Sequence, residues 1–334
     1  MKQTILGGVA LLCIAALAML AAGANPIAGF SALFTGALGG VPQLGETLVQ
    51  TTALLFPSLA VGFAFRAGLF NIGAEGQLIV GGFCAGLTGA YLGAAGALAI
   101  PAILAAGALG GGFWGALAGI IRARFGGNEV IATLMLNVLA LLLTGYLVSG
   151  PLRATDVASA QTETIARAAW LPVIVPDSRL TLAFPLALLL AFALRALFAQ
   201  TVFGYELRAA GEAPQAARRA GIDLKATALW AMTLSGAIAG LGGATIVDGL
   251  LHRFNTELSP GYGFVAIAVA LVGNLDPLWI IAASFVFGIL QSGALTMQAL
   301  AHVPKDVVTF IEGLAIVALA ARRYLASRLT TVRT

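Results

Sequence analysis

Apolar stretches of about twenty residues recur along this chain, each ended by glycine, proline or a small cluster of charge. A stretch of that length matches the hydrocarbon thickness of a bilayer, where a helix satisfies every backbone amide internally. Ten such segments are read, at 5–22, 44–65, 70–92, 98–121, 130–148, 181–199, 227–247, 262–272, 278–297 and 307–321. Pro57 is expected to kink the second. Segment 262–272 is short for a span and is expected to borrow residues from a buried or broken stretch beside it. The first also has a signal-peptide reading, since Ala22-Gly23-Ala24 mimics a cleavage site. With 60% hydrophobic and 10% charged residues, the chain is excluded from the soluble globular class. The expected fold is an all-α integral membrane bundle of about ten transmembrane helices in one domain, 1–334.

Charge decides orientation. With a cytoplasmic N-terminus, ten spans place Lys2, Arg66, Arg122, Arg124, Arg208, Arg218, Arg219, Lys225, Arg322, Arg323, Arg328 and Arg333 inside. Only Arg153, Arg167, Arg179, Arg253 and Lys305 fall outside, as the positive-inside rule requires. Both termini are therefore expected in the cytoplasm. The sequence pI near 9.4 reports this asymmetry, and no basic stripe with interleaved aromatics indicates nucleic acid. The longest polar connection, 149–180, is expected outside. Cys13 and Cys84 sit in apolar segments and read as small core residues.

Between two long apolar regions lies one charged island, 201–225. Pro214 presets φ for a first helical turn, Ala216, Ala217 and Ala220 favour helix, and Gly221 can take the left-handed conformation that ends one. Arg218 and Arg219 then occupy the last turn, where the helix dipole favours cations. A short exposed helix there suits docking; an ordinary basic loop is the plain alternative.

Several chemistries are disfavoured. No lysine closes a GxxxxGK[ST] loop, so ATP binding in the P-loop manner would need another polypeptide. His252 and His302 have no carboxylate or cysteine at ligand spacing, so no metal site is expected, and no nucleophile elbow is visible. Three classes remain: an importer permease driven by a separate ATPase, an ion-coupled secondary transporter using Glu75 and Glu312, and a structural membrane protein.

Gly204, Leu207-Arg208-Ala209, Gly211 and Ala216-Ala217-Arg218-Arg219-Ala220-Gly221-Ile222 resemble the cytoplasmic coupling loop of ABC importer permeases of the ribose, branched-chain amino acid and nucleoside type. Residues 68–77, GLFNIGAEGQ, resemble the nucleoside branch. So do Arg124-Phe125-Gly126, 128–131, 135–137, 150–152, 235–241 and 263–271. The resemblance implies alternating access for nucleosides, with ribose-like sugars or branched-chain amino acids as alternatives. It also implies an ABC ATPase holding ATP and Mg, an extracytoplasmic solute-binding protein, and a second, related permease in a heterodimer. No cofactor on this chain and a multi-pass place in a bacterial cytoplasmic membrane follow. Arg208, Gly211, Ala217, Arg218, Arg219 and Gly221 become the candidate ATPase-coupling residues. Where the family usually has Asn before Pro214 this chain has Ala213, so a capping side chain is missing and Glu212 or a backbone group must substitute.

The solute path is expected at 70–77. Asn71, Glu75 and Gln77 lie among Gly68, Gly73 and Gly76, and backbone so rich in glycine can break a helix at membrane depth where it is buried in protein or lines a wet cavity. An amide beside a carboxylate suits sugar hydroxyls and base edges. A purely structural role for Glu75, capping a helical turn and holding neighbouring spans, stands beside that reading. Asn137, Gln291 and Gln298 are further candidates.

Overall fold

The computed structural model describes residues 13–155, 159–304, 307, 309, 310, 313 and 314. Of the expected spans, most of 307–321 and residues 5–12 of the first lie outside these. The described residues are helical, with only two isolated β-bridges, Gln161 with Asn255 and Val173 with Thr181. Twelve α-helices are described: α1 Cys13–Ala21, α2 Pro26–Leu38, α3 Val41–Arg66, α4 Ala74–Leu92, α5 Ile100–Phe125, α6 Glu129–Ser149, α7 Ala183–Gln200, α8 Val202–Glu212, α9 Pro214–Arg219, α10 Leu224–Ile246, α11 Tyr262–Val272 and α12 Pro277–Leu300.

Among the described residues, six stretches are long and apolar enough to cross a membrane, or seven if the bent pair α1–α2 forms one span. One of the six, Ala74–Phe125, is 52 residues long. At 1.5 Å per residue it would measure about 78 Å, more than twice a bilayer core of about 30 Å. It is in fact two helices joined by a 3₁₀ segment, Gly93–Ala99, in which Gly96 at φ 65° and ψ −141° turns the chain. Segment 181–199 is helical from Ala183, segment 227–247 is helical, and α3 continues through Pro57 as one helix. Two helices differ from the sequence reading. α2 falls between the first two apolar segments, and Asn25 caps it through hydrogen bonds from the Ile27 and Ala28 amides, with Pro26 at its first position. Residues 202–212, read as loop, form α8, whose Gly204, Leu207 and Ala210 are buried at three-residue steps.

The chain divides into two compact units, 1–51 with 285–334, and 52–284. The first has a small apolar core of Ala15, Met19, Ala32, Leu33, Ala294 and Met297. Thr47 donates from Oγ1 to the Ala37 carbonyl at 2.8 Å, and Gly293 packs against Leu33 where a Cβ would not fit. Cys13, expected in a core, is an exposed thiol on α1.

The second unit is built on glycine faces. A Cβ on Gly111 of α5 would lie 2.5 Å from the Cα of Gly240 in α10, and one on Gly240 would lie 2.7 Å from the Cα of Gly111. Gly107 and Gly115 meet Ala244 and Gly236 in the same way, so small residues of 107–115 form a packing face. Over one end of this unit residues 159–180 fold into the bundle. Ile165, Ala169 and Leu171 are buried, and Ile165 donates its amide to the His252 carbonyl at 2.8 Å.

Candidate functional site

α3 ends at Arg66, and residues 67–73 turn back without helix, so that α4 begins inside the protein. Gly68, at φ 74°, makes the turn. Asn71 follows at 0% exposure and becomes a hub. Its Nδ2 donates to Gln77 Oε1 at 2.8 Å and to Ser235 Oγ at 2.7 Å; its Oδ1 accepts from the Gly73 amide at 2.9 Å and from Gln77 Nε2 at 3.2 Å. Ser235 in turn donates to the Ala60 carbonyl of α3 at 2.6 Å. Two side-chain amides and a hydroxyl thus satisfy one another and three elements, as low-dielectric burial requires.

Asn137 of α6 closes the same turn from the other side. Its Oδ1 accepts from the Gly76 amide at 2.8 Å and its Nδ2 donates to the Ile72 carbonyl at 2.9 Å. Gly76 and Gly73 admit this approach, because a Cβ on Gly76 would lie 2.9 Å from the Cα of Asn137.

Glu75 points to a different helix. Its Oε2 accepts from the Gly263 amide at 2.7 Å, with the Ser259 hydroxyl and the Gly261 amide also hydrogen-bonded to the carboxylate. The carboxylate therefore stands at the N-terminus of α11, where free amides and the helix dipole favour an anion. α11 is only 11 residues long, and non-helical residues 252–261 lead into it. The short eighth segment is thus a half-length helix whose buried start is served by a side chain from α4.

Among the solute-path candidates, Asn71, Glu75, Gln77 and Asn137 converge on this turn. Gln291 lies in α12 within the other unit, where its Oε1 is buried without a hydrogen-bond partner among the described residues; Gln298 lies in the same helix. Glu312 is outside the described residues. Ser235 is a member that residue type alone did not mark.

The coupling candidates fall on α8 and α9. α8 begins at Thr201, whose Oγ1 accepts from the Gly204 amide at 3.0 Å. α9 spans six residues, with Arg218 and Arg219 in its last turn and Gly221 at φ 89° beyond it, as the sequence indicates. No side chain caps α9, so neither Ala213 nor Glu212 supplies the missing cap. Ala217 is buried, while Arg218 and Arg219 are exposed. Gly211 packs on the 66–68 turn, and Arg208 faces a cavity beside Arg66.

The apolar run of the seventh segment stops at Val247, one residue short of Asp248. The helix continues as a π turn, Val247–Leu251, a form that often accompanies functional sites. Asp248 is 0% exposed, and neither carboxylate oxygen has a partner among the described residues. Next to it, His252 stacks on Trp170 with ring centroids 3.5 Å apart and planes 8° apart.

Residues 43–320 match the family described as "Branched-chain amino acid transport system / permease component". The chain is 38% identical to the guanosine ABC transporter permease protein NupP of Bacillus subtilis, over 89% of this chain and 86% of that one. It is 34% identical to the nucleoside ABC transporter permease protein NupB of Lactococcus lactis, over 84% and 79%. It is 30% identical to the glucose ABC transporter permease protein TsgB13 of Haloferax volcanii, over 92% and 83%. With most of its length matched, the chain belongs to the branched-chain amino acid transport system permease-component family.

Proposed function

We propose that this chain is the membrane permease of an ATP-driven ABC importer of nucleosides, working by alternating access. The observation that carries the substrate class is the 38% identity to a guanosine permease over nearly the whole of both chains. A separate ATPase supplies hydrolysis, an extracytoplasmic binding protein delivers solute, and a second, related permease completes the pore as a heterodimer. The chain sits in a bacterial cytoplasmic membrane with both termini in the cytoplasm, crossing it about ten times. α9, with Ala217, Arg218, Arg219 and Gly221, is the coupling helix that engages the ATPase, and Arg208 and Gly211 seat it on the bundle.

Asn71, Glu75, Gln77 and Asn137 border the solute path, and Gln291 on α12 is a separate candidate for solute contact. Because the first four spend their polar groups on protein partners, they shape the wall of the path. Conformational change that frees the Glu75 carboxylate or the Asn71 amide would expose groups suited to ribose hydroxyls and base edges.

Reconstituted complex should accumulate labelled guanosine and inosine in an ATP-dependent manner, ahead of ribose, glucose and leucine. Transport of glucose or leucine alone would overturn the substrate class. For orientation, single cysteines at Ala160 and Gln215 in a Cys13→Ser, Cys84→Ser background should be labelled from opposite sides. Labelling from the same side would sink the ten-span topology.

A further inference from the structure

A cavity of about 180 Å³ opens where α7, α8 and the α11–α12 turn meet the end of α3, lined by Arg66, Arg195, Phe198, Arg208 and Asp276 with Ala199 and Pro277. Three guanidinium groups face one carboxylate. Arg195 Nη1 stands 3.4 Å from Asp276 Oδ1, and Arg66 Nη2 stands 3.6 Å from Oδ2. Both separations exceed the 2.7–2.9 Å or so of a tight charge-assisted pair, so one aspartate is shared loosely between two cations. Arg208 has a buried Nε without a partner among the described residues. Glu212 is also within electrostatic range of Arg66 but is itself exposed to solvent. The cavity is left net positive.

Its level in the membrane is fixed by what lines it. Arg66 is the last residue of α3, Arg195 is in the final turns of α7, and Pro277 is the first of α12. All three helices are apolar enough to cross a bilayer, so their ends lie at the headgroup level. On α7, Leu189 and Phe192 are exposed at three-residue steps before Arg195, whose own side chain is 53% exposed. An apolar stripe thus leads along the helix to a half-open cation at the mouth of a basic cavity.

We propose that this cavity binds the phosphate of an anionic phospholipid headgroup, with Arg195 and Arg208 as direct ligands and the acyl chains lying along Leu189 and Phe192. Arg66, held by its Nε to the Leu275 carbonyl at 2.7 Å and over the Phe198 ring, fixes the third charge in place. The cavity holds far more than the 30 Å³ or so of one water, enough for a phosphate with its ester arms. Basic pockets between spans select anionic headgroups through such charge and hydrogen-bond matching. The proposal rests on membrane embedding alone, so it stands or falls independently of which solute is carried.

The test uses the full-length chain purified in detergent, scored by native mass spectrometry for retained lipid and by thermal stability. Added dioleoylphosphatidylglycerol should be retained and should stabilise the protein; dioleoylphosphatidylcholine and inorganic phosphate should not. Arg195→Gln and Arg208→Gln should each weaken phosphatidylglycerol retention about fivefold while leaving lipid-free stability unchanged. Arg195→Lys should restore most of it, and Arg124→Gln, at the end of α5, should have no effect. Equal retention of both lipids, stabilisation by inorganic phosphate alone, or an equal loss in Arg124→Gln would each overturn the proposal. If Arg208→Gln does not fold, Arg195→Gln and Arg195→Lys decide it.

Discussion

Gly211 of α8 rests on Gly68: a Cβ on Gly211 would lie 2.7 Å from the Gly68 amide nitrogen, and one on Gly68 would lie 2.9 Å from the Gly211 Cα. Three residues beyond Gly68 is Asn71, the hub of the buried amide network. Displacement of α8 is therefore transmitted as a rigid push to the turn that positions Asn71, because backbone in contact with backbone has no side chain to yield. Gly211→Val should part this contact and, normalised to the amount of protein in the membrane, transport far less solute per ATP hydrolysed. A normal ratio of uptake to hydrolysis in the reconstituted complex would show that this contact carries no coupling.

Arg218 and Arg219 offer the complementary test at the outer surface of the same segment. Both are exposed in the last turn of α9. Reversing both with Arg218→Glu and Arg219→Glu should preserve abundance and remove solute-stimulated ATP hydrolysis, since charge at a docking surface governs partner choice. Transport at the normal rate would reduce α9 to an ordinary loop helix.

Glu75 can be separated into two roles by two substitutions. Glu75→Ala leaves the buried Gly263 amide at the start of α11 without its acceptor, a loss of about 1–3 kcal/mol. Reduced abundance on quantitative immunoblot is expected. Glu75→Gln keeps an acceptor of the same shape and should accumulate normally, with slower uptake wherever the charge itself is used. If Gln lowers abundance as much as Ala, the carboxylate is structural only.

The close approach of α5 and α10 predicts a steep size dependence. Gly111→Ala already places a methyl within 2.5 Å of the Gly240 Cα, and Gly111→Leu cannot be accommodated without parting the helices. Overpacking costs typically about 1–3 kcal/mol, and more where the obstacle is backbone. Accumulation should fall in the order Gly, Ala, Leu, while Gly126→Ala, at a left-handed position with open space around it, should show only a modest loss. Equal accumulation of Gly111→Leu and the parent chain would contradict the packing.

Hydropathy made most of the long helices legible because bilayer length is a strong filter. The chemistry of Pro214, Arg218, Arg219 and Gly221 likewise located α9. What escaped were features fixed by tertiary partners. α8 is amphipathic and buries Gly204, Leu207 and Ala210, so its helicity follows from packing that no apolar run announces. α2 had its signal in Asn25-Pro26, which sits between stretches that hydropathy treats as one boundary. The 71–77 motif was visible as polar residues among glycines, yet only the fold pairs Asn71 with Ser235 and Glu75 with Gly263, which lie 164 and 188 positions apart in sequence. Asp248 was lost because a π turn carries helix past the point where the apolar run stops.

His252 gives the structure a defined sensitivity to acid. It adopts a left-handed conformation at φ 57°, its Nδ1 lies 3.1 Å from the Asp248 carbonyl oxygen, and its ring stacks on Trp170, which donates from Nε1 to the Ile165 carbonyl at 2.8 Å. Burial pushes the imidazole below its ordinary value of 6.5, the carbonyl contact opposing this only in part. The unfolded chain therefore binds a proton at a pH where the folded chain does not, and stability rises with pH through that window. The contribution of His252 is complete above about pH 6.5 and declines as pH falls from there toward the lower folded value. Glu163, whose carboxyl is held low by two hydrogen bonds from Thr155, titrates below 4.5 and does not enter this range. Between about pH 7.5 and 5.5 the parent chain should lose more thermal stability on acidification in detergent than His252→Gln does, while the variant is less stable at pH 7.5 through loss of the ring stack. A parallel slope in His252→Gln would assign the acid sensitivity to another group.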